Sequence, residues 1–291
     1  MDIQVSIVSA FVDAGEGGNP AGIVLDADHL STAEKQKIAA AVGVSETAFV
    51  SQSKTADFKL DFFTPNRQIA HCGHATVATF CYLTQLGRLN KTETSKETID
   101  GDRAILIDGD RAFMEQTAPI YTELSEEDQV KALTAVGLDK TQLLAGGRPL
   151  LVNTGNTFLI LPVTDLTTLK MIEPNLEQIH ALSEAHDLIG FHLFSPETAK
   201  PGRIASARMF APRYGIAEEA ATGTATGTQA CYLYDVLGIK ETEMVMEQGV
   251  GMRPAAPSEL FARLSVGPNG IESVQVGGRA QLITQKIIRI K

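Results

Sequence analysis

The chain has no tryptophan and only three cysteines among its 291 residues, and aromatic residues make up 6% of it. Cys72, Cys81 and Cys231 form an odd, sparse set without a Cys-x-x-Cys pair, which excludes a disulfide framework and a zinc knuckle. If a cysteine matters in this protein, it matters singly. Runs of basic residues are also missing, and the formal charge is -10. Nucleic acid and anionic membrane surfaces are therefore excluded as natural partners. No stretch approaches the length of an apolar membrane span. Met1 leads straight into the alternation Ile3, Val5, Ile7 rather than into a basic segment followed by an apolar one. The expectation is a cytoplasmic globular protein.

What the sequence does contain is an imperfect repeat. Cys72 to Leu83 reads Cys-Gly-His-Ala-Thr-Val-Ala-Thr-Phe-Cys-Tyr-Leu, and Thr222 to Leu233 reads Thr-Gly-Thr-Ala-Thr-Gly-Thr-Gln-Ala-Cys-Tyr-Leu. Without a gap, the two share Gly73/Gly223, Ala75/Ala225, Thr76/Thr226, Cys81/Cys231, Tyr82/Tyr232 and Leu83/Leu233. Each runs from a small-residue turn into a helix ending at Gly87 or Gly238, with apolar or small residues on nearly every side. A helix apolar all round is buried.

The flanking elements repeat as well. Thr154-Gly155-Asn156 before Phe158 to Val163 answers Gly18-Asn19-Pro20 before Ile23 to Leu25, and Asn175 with Gln178 answers the capping box of Ser31 with Glu34. Ile189 to Phe194 answers Thr47 to Val50, and Met209-Phe210-Ala211-Pro212 answers Phe62-Phe63-Thr64-Pro65. Five elements recurring in one order argue for a duplication, with a period far too long for a solenoid. Strands wrapped around an apolar helix must close on themselves or leave edges exposed. The expected fold is α+β: two pseudo-symmetric domains, 1–118 and 119–291, each a curved β-barrel around a central buried helix. Ala104 to Glu115 reads as one strand. Glu272 to Val276 and Arg279 to Ile290 read as two, separated by Gly277-Gly278, and these last strands could close either half.

A helix N-terminus offers unpaired N–H groups and partial positive charge, so two such ends facing one cleft would hold an anion, most simply a carboxylate. Gly73 and Gly223 would let backbone and ligand approach, although glycines at these positions could also serve packing alone. Glu46 is a lone carboxylate at the head of an apolar strand, a setting that suits a general acid or base. His74 lies in the first helical turn, able to donate to a substrate oxygen. Glu218 and Glu219 precede the second helix, where they could simply complement its dipole, and Thr224 stands opposite His74 in the repeat.

Together, Gly18-Asn19-Pro20-Ala21-Gly22, Ser45-Glu46-Thr47, Cys72-Gly73-His74-Ala75-Thr76 and Glu218 to Ala225 resemble the phenazine-biosynthesis PhzF-like family, over nearly the whole chain. Gln248-Gly249, Arg253-Pro254 and Val276-Gly277-Gly278 resemble its C-terminal half. The resemblance implies the diaminopimelate epimerase-like fold, no metal or organic cofactor, a homodimer, and proton-transfer isomerisation of a small cyclic amino or hydroxy carboxylate. It puts the acid/base on Glu46, with His74, Glu219 and Thr224 as the other catalytic positions. Asn19, Ser45, Cys72, Gly73, Thr222 and Gly223 fall at its substrate-binding positions. This chain departs from the family pattern at Glu219, Ala220 and Thr224, where Asp, Pro and Ser are usual. It departs again at Gln68 and His71, where an acidic residue and Phe are preferred. The alternatives are a racemase or epimerase of amino acids on the same fold and a non-catalytic carboxylate binder. Two-thiol racemases carry a cysteine at both helix starts, and Thr222 occupies the second position here. A hydroxyl is far too weak an acid to replace a thiol.

Overall fold

The computed structural model describes residues 1–290, which divide into two compact units: Met1–Glu115 together with the segment from Gly277 onward, and Gln116–Val276. The tail, whose allegiance the sequence left open, thus belongs with the first unit from Gly277 on.

Unit 1 contains β1 (Asp2–Ala10), β2 (Asn19–Val24), α1 (Thr32–Val42), β3 (Thr47–Ser51), β4 (Phe58–Phe63), β5 (Gln68–Ile69), α2 (Gly73–Gln85), β6 (Glu93–Thr98) and β7 (Gly101–Asp108). β8 (Arg111–Thr117) leads out of it. Unit 2 contains β9 (Ile120–Glu123), α3 (Glu126–Ala135), β10 (Leu150–Asn153), β11 (Thr157–Pro162), α4 (Leu166–Met171) and α5 (Leu176–Ala185). It continues through β12 (Gly190–Ser195), β13 (Ala205–Ala211), β14 (Ile216–Glu219), α6 (Gly223–Asp235), β15 (Glu243–Gln248) and β16 (Ser258–Gly267). β17 (Gly270–Arg289) starts in unit 2 and ends in unit 1.

In unit 1 the strands pair β1–β2 antiparallel, β2–β3 parallel, β3–β4 antiparallel, β4–β6 parallel, then β6–β7 and β7–β8 antiparallel. β17 joins both β8 and β1, running from Ala10↔Ala280 to Asp2↔Arg289, and so closes an eight-stranded barrel. Closure removes the edges. α2 fills the barrel: every residue from His74 to Leu83 is buried, with Phe80 edge-on to Phe58 at 5.8 Å. The interior therefore accepts the helix without a polar face. Two of its buried threonine hydroxyls donate within the helix, Thr76 to the Cys72 carbonyl and Thr79 to that of Ala75, both at 2.7 Å. α1 packs outside, where Ile38, Ala39 and Val42 meet Ile3, Val5 and Ile7 of β1.

Unit 2 repeats the pairing pattern: β10–β11 antiparallel, β11–β12 parallel, β12–β13 antiparallel, β13–β15 parallel, β15–β16 antiparallel. α6 is the central helix, packed among Phe158, Ile160, Phe194 and Met209, while α3, α4 and α5 build a second core on the outer face around Leu133, Leu169 and Ile179.

Two strand expectations change. The single strand expected from Ala104 to Glu115 is the hairpin β7–β8, turning at Gly109 with φ 61°. The two strands expected around Gly277-Gly278 are the continuous β17. Gly277 is there for close approach: a Cβ on it would lie 2.2 Å from the Ala112 carbonyl oxygen. No helix among the described residues is long and apolar enough to cross a membrane.

Candidate active site

Side chains cap four of the six α-helices: Ser31 for α1, Ser125 for α3, Asp165 for α4 and Asn175 for α5. The two central helices start differently. Neither Cys72 before α2 nor Thr222 before α6 makes a side-chain cap, so the first-turn N–H groups of both are left to other partners.

At the start of α2, the parallel pairing of β2 with β3 carries the chain past Glu46, whose carbonyl accepts from the Gly22 N–H at 2.9 Å. The Glu46 side chain is 12% exposed, and its Oε2 lies 3.3 Å from Nε2 of His74. That separation is within ion-pair reach but lacks hydrogen-bond alignment. The other ring nitrogen, Nδ1, lies 3.6 Å from the Cys72 Sγ. Carboxylate, imidazole and thiol thus stand in a row at one helix start, three groups able to take or give a proton. Gly73 opens this turn, with the Met114 methyl 3.2 Å from where a Cβ would be. Asn19 is buried at the head of β2, whereas Ser45 is exposed.

A second polar cluster lies behind the same turn. Lys96 of β6 is wholly buried and donates to the Thr76 hydroxyl at 2.6 Å and to Nδ1 of His71 at 3.1 Å. Its amine also lies 5.1 Å from the centre of the Phe62 ring. Burial draws the Lys96 pKa down to about 7, opposed by Cys72 and assisted by the Arg103 cation. Burial, with Lys96 and Arg103 nearby, holds His71 neutral, at about 3. The other two cysteines are inert: burial pushes both Cys81 and Cys231 up to about 12.

In unit 2, the segment between β14 and α6 is held by Gln248, which accepts from the Thr222 N–H at 3.1 Å and donates to the Glu219 carbonyl at 2.7 Å. The Thr222 hydroxyl donates to the Glu219 carboxylate at 2.8 Å. Glu218 has a structural task instead, bridging both carboxylate oxygens to Arg208 at 2.8 and 2.9 Å. Thr224 is half-exposed on the first turn of α6. Buried Gln116 donates to the Gly223 carbonyl at 3.2 Å and accepts from Thr154 at 2.6 Å, and Gly227 leaves it room, since a Cβ there would lie 2.2 Å from its Oε1.

The structure therefore brings Glu46, Cys72, Gly73 and His74 together in unit 1, and Glu219, Thr222 and Gly223 together in unit 2. Sequence reasoning missed Gln116 and Lys96, because a single polar residue in an alternating strand carries no sign of which face it takes. One donor atom each from Glu46, Cys72 and His74 lie within 4.8 Å of one another, so the trio could hold an ion. The positive end of α2 favours an anion over a cation at this place.

Comparison with known proteins agrees with this architecture. A family model described as phenazine biosynthesis-like protein (PhzC-PhzF) matches residues 8–286. An uncharacterized isomerase of Deinococcus radiodurans is 32% identical over 285 residues, 94% of this chain and 90% of that protein. The trans-2,3-dihydro-3-hydroxyanthranilate isomerase of Pseudomonas chlororaphis is 29% identical over 279 residues, 94% of each. Among solved structures, a Bacillus anthracis phenazine biosynthesis protein of the PhzF family superimposes with a TM-score of 0.91 at 28% identity, covering 100% of both chains.

Proposed function

As the chain belongs to the phenazine biosynthesis-like PhzC-PhzF family and is an isomerase, we propose that Glu46 moves a proton on a small cyclic amino or hydroxy carboxylate by acid/base catalysis. The observation that carries this reading is the Glu46–His74 pair, 3.3 Å apart and nearly buried at an uncapped helix start. Glu46 takes a proton from a carbon next to an unsaturated or carboxylate-bearing system and returns it elsewhere on the same face. A single carboxylate suffices for both transfers. His74 polarises a substrate heteroatom, and the first-turn N–H groups at Gly73 receive the carboxylate. Asn19, Ser45 and Cys72 border the substrate in this reading. Glu219, Thr222, Gly223 and Thr224 make up the corresponding helix start of unit 2.

The substrate is of the kind named for the Pseudomonas chlororaphis relative, a ring bearing amino, hydroxy and carboxylate groups. The reading also takes the enzyme as a cytoplasmic homodimer working with its own side chains alone. A symmetric two-thiol racemase is disfavoured by Thr222, whose hydroxyl is committed to Glu219 at 2.8 Å.

Incubation in deuterated water with dihydroaromatic and cyclic amino carboxylates tests the assignment. The wild type should place deuterium on carbon, and Glu46→Gln should lose roughly three orders of magnitude in turnover with ligand affinity nearly unchanged. Normal turnover by the Gln variant would move the base elsewhere. Binding without any exchange in the wild type would make the protein a carboxylate binder.

A further inference from the structure

Glu46, Cys72 and His74 offer one donor atom each within 4.8 Å of one another, an oxygen, a sulfur and a nitrogen. That is a donor set for Zn²⁺ and its chemical neighbours, whereas Mg²⁺ and Ca²⁺ take oxygen throughout. The spacing fits as well. With Zn–S about 2.3 Å and Zn–N about 2.0–2.1 Å, two ligands of a tetrahedral ion stand roughly 3.5 Å apart. The Cys72 Sγ lies 3.6 Å from Nδ1 of His74, so sulfur and ring are already at a chelating separation. Glu46 approaches the ring from Nε2, at 3.3 Å. Its carboxylate has to close on the other two donors by no more than about 1.3 Å, within reach of rotation about its terminal side-chain bonds. Cys72 and His74 are buried and the Glu46 side chain is 12% exposed, which shields the trio from solvent without sealing it. The positive end of α2 opposes a cation held by water and neutral oxygens. A thiolate and a carboxylate together cancel the charge of a divalent ion, so the complex before the helix end is neutral. The corresponding positions of unit 2 hold Thr222 and Thr224, whose hydroxyls are poor ligands for zinc, and the duplication does not repeat the set.

We propose that Glu46, Cys72 and His74 form a three-donor site for Zn²⁺ and ions of like chemistry, and that its occupation reversibly blocks the enzyme. The binding stands on the donor geometry. The block rests on the reading of Glu46 as the base, whose carboxylate the ion holds. The ion displaces the thiol proton to solvent and forms bonds to Sγ, one ring nitrogen and one carboxylate oxygen, with solvent in the fourth place. No electron is transferred.

The test is titration of the metal-free full chain with Co²⁺, whose bond to a thiolate absorbs in the near ultraviolet, followed by displacement with Zn²⁺. The wild type should develop the thiolate–cobalt band at one ion per chain, and Zn²⁺ should abolish it. Cys72→Ser should lose the band. Cys81 and Cys231 do not supply it, because burial holds both thiols up at about 12. Glu46→Gln should keep the band and weaken Co²⁺ binding by at least roughly tenfold. No band in the wild type, or an equal band in Cys72→Ser, overturns the site, and unchanged affinity in Glu46→Gln overturns the three-donor arrangement. The block is read separately, as deuterium placed on carbon with and without Zn²⁺. Exchange at full rate with the site occupied overturns the block. Absence of exchange in the metal-free protein overturns the reading of Glu46 as base, and the block with it, while leaving the metal site standing.

Discussion

Cys72 sits where a two-thiol racemase would carry one of its bases, yet its Sγ is placed to touch the His74 ring at 3.6 Å, and Thr222 stands at the corresponding position of unit 2. With Glu46 proposed as the base and Thr222 opposite in the repeat, the Cys72 thiol is not required to move the proton. Cys72→Ala should therefore keep activity within about tenfold of wild type in a deuterium-exchange assay, whereas loss of a thousandfold or more would mean that the thiol is a base. Lys96 makes a second prediction, on stability. Its folded pKa is drawn from 10.5 down to about 7. Between those values the unfolded chain holds a proton that the folded chain lacks, so the Lys96 contribution to stability rises with pH there. Below pH 7 both states hold the proton, and the folded state bears the full cost of a buried ammonium. Lys96→Met should thus stabilise the protein by on the order of 2–4 kcal/mol near pH 6.5, and the gain should fade toward pH 10. Urea denaturation at those two pH values measures it. A pH-independent gain would show that packing, not charge, is responsible.

Elements were legible where periodicity and punctuation coincide. The capping box at Ser31, the all-round apolar pattern of α2 and α6, and the strand from Phe58 to Phe63 each show in the sequence because each obeys a local rule. The tail was misread for a physical reason. Gly277-Gly278 looks like a turn locally, but β17 runs through it, and the glycine serves a neighbour far away in sequence, the Ala112 carbonyl of β8. A side chain at 277 would also meet the Phe113 ring, 2.6 Å from the Cβ position. Gly277→Val should therefore part β8 from β17 and cost about 3 kcal/mol, read by thermal or urea unfolding. A stable Gly277→Val protein would show that the strands can separate freely. The site divides along the same line. Glu46 and His74 could be singled out because the motifs around them are contiguous. Lys96, Gln116 and Gln248 act across strands, and only the barrel brings them to the helix starts.

At the scale of the whole chain, duplication accounts for the repeated pairing pattern, and the tail departs from simple tandem order. The chain builds unit 1, leaves it through β8, builds unit 2, and comes back along β17 to close the first barrel. β1 therefore depends on residues 270 to 287 positions away: its pairing with β17 runs from Ala10↔Ala280 to Asp2↔Arg289. Without that partner, β1 and β8 become edges, and Tyr82 of α2 loses its contact with Gln285, whose amide donates to the Tyr82 hydroxyl at 3.3 Å. Unit 2 as a compact unit ends at Val276. A chain truncated after Gly278 should consequently lose order in one unit and keep it in the other. Hydrogen exchange should show residues 1–115 exchanging as an opened domain, with α2 amides losing most of their protection, while residues 116–276 stay protected. Because parallel and long-range pairings form late, a full-length protein should also protect β1 after the strands of unit 2. Uniform loss of protection across both units would show that unit 2 cannot stand alone. Retained protection in α2 would show that the barrel closes without its last strand.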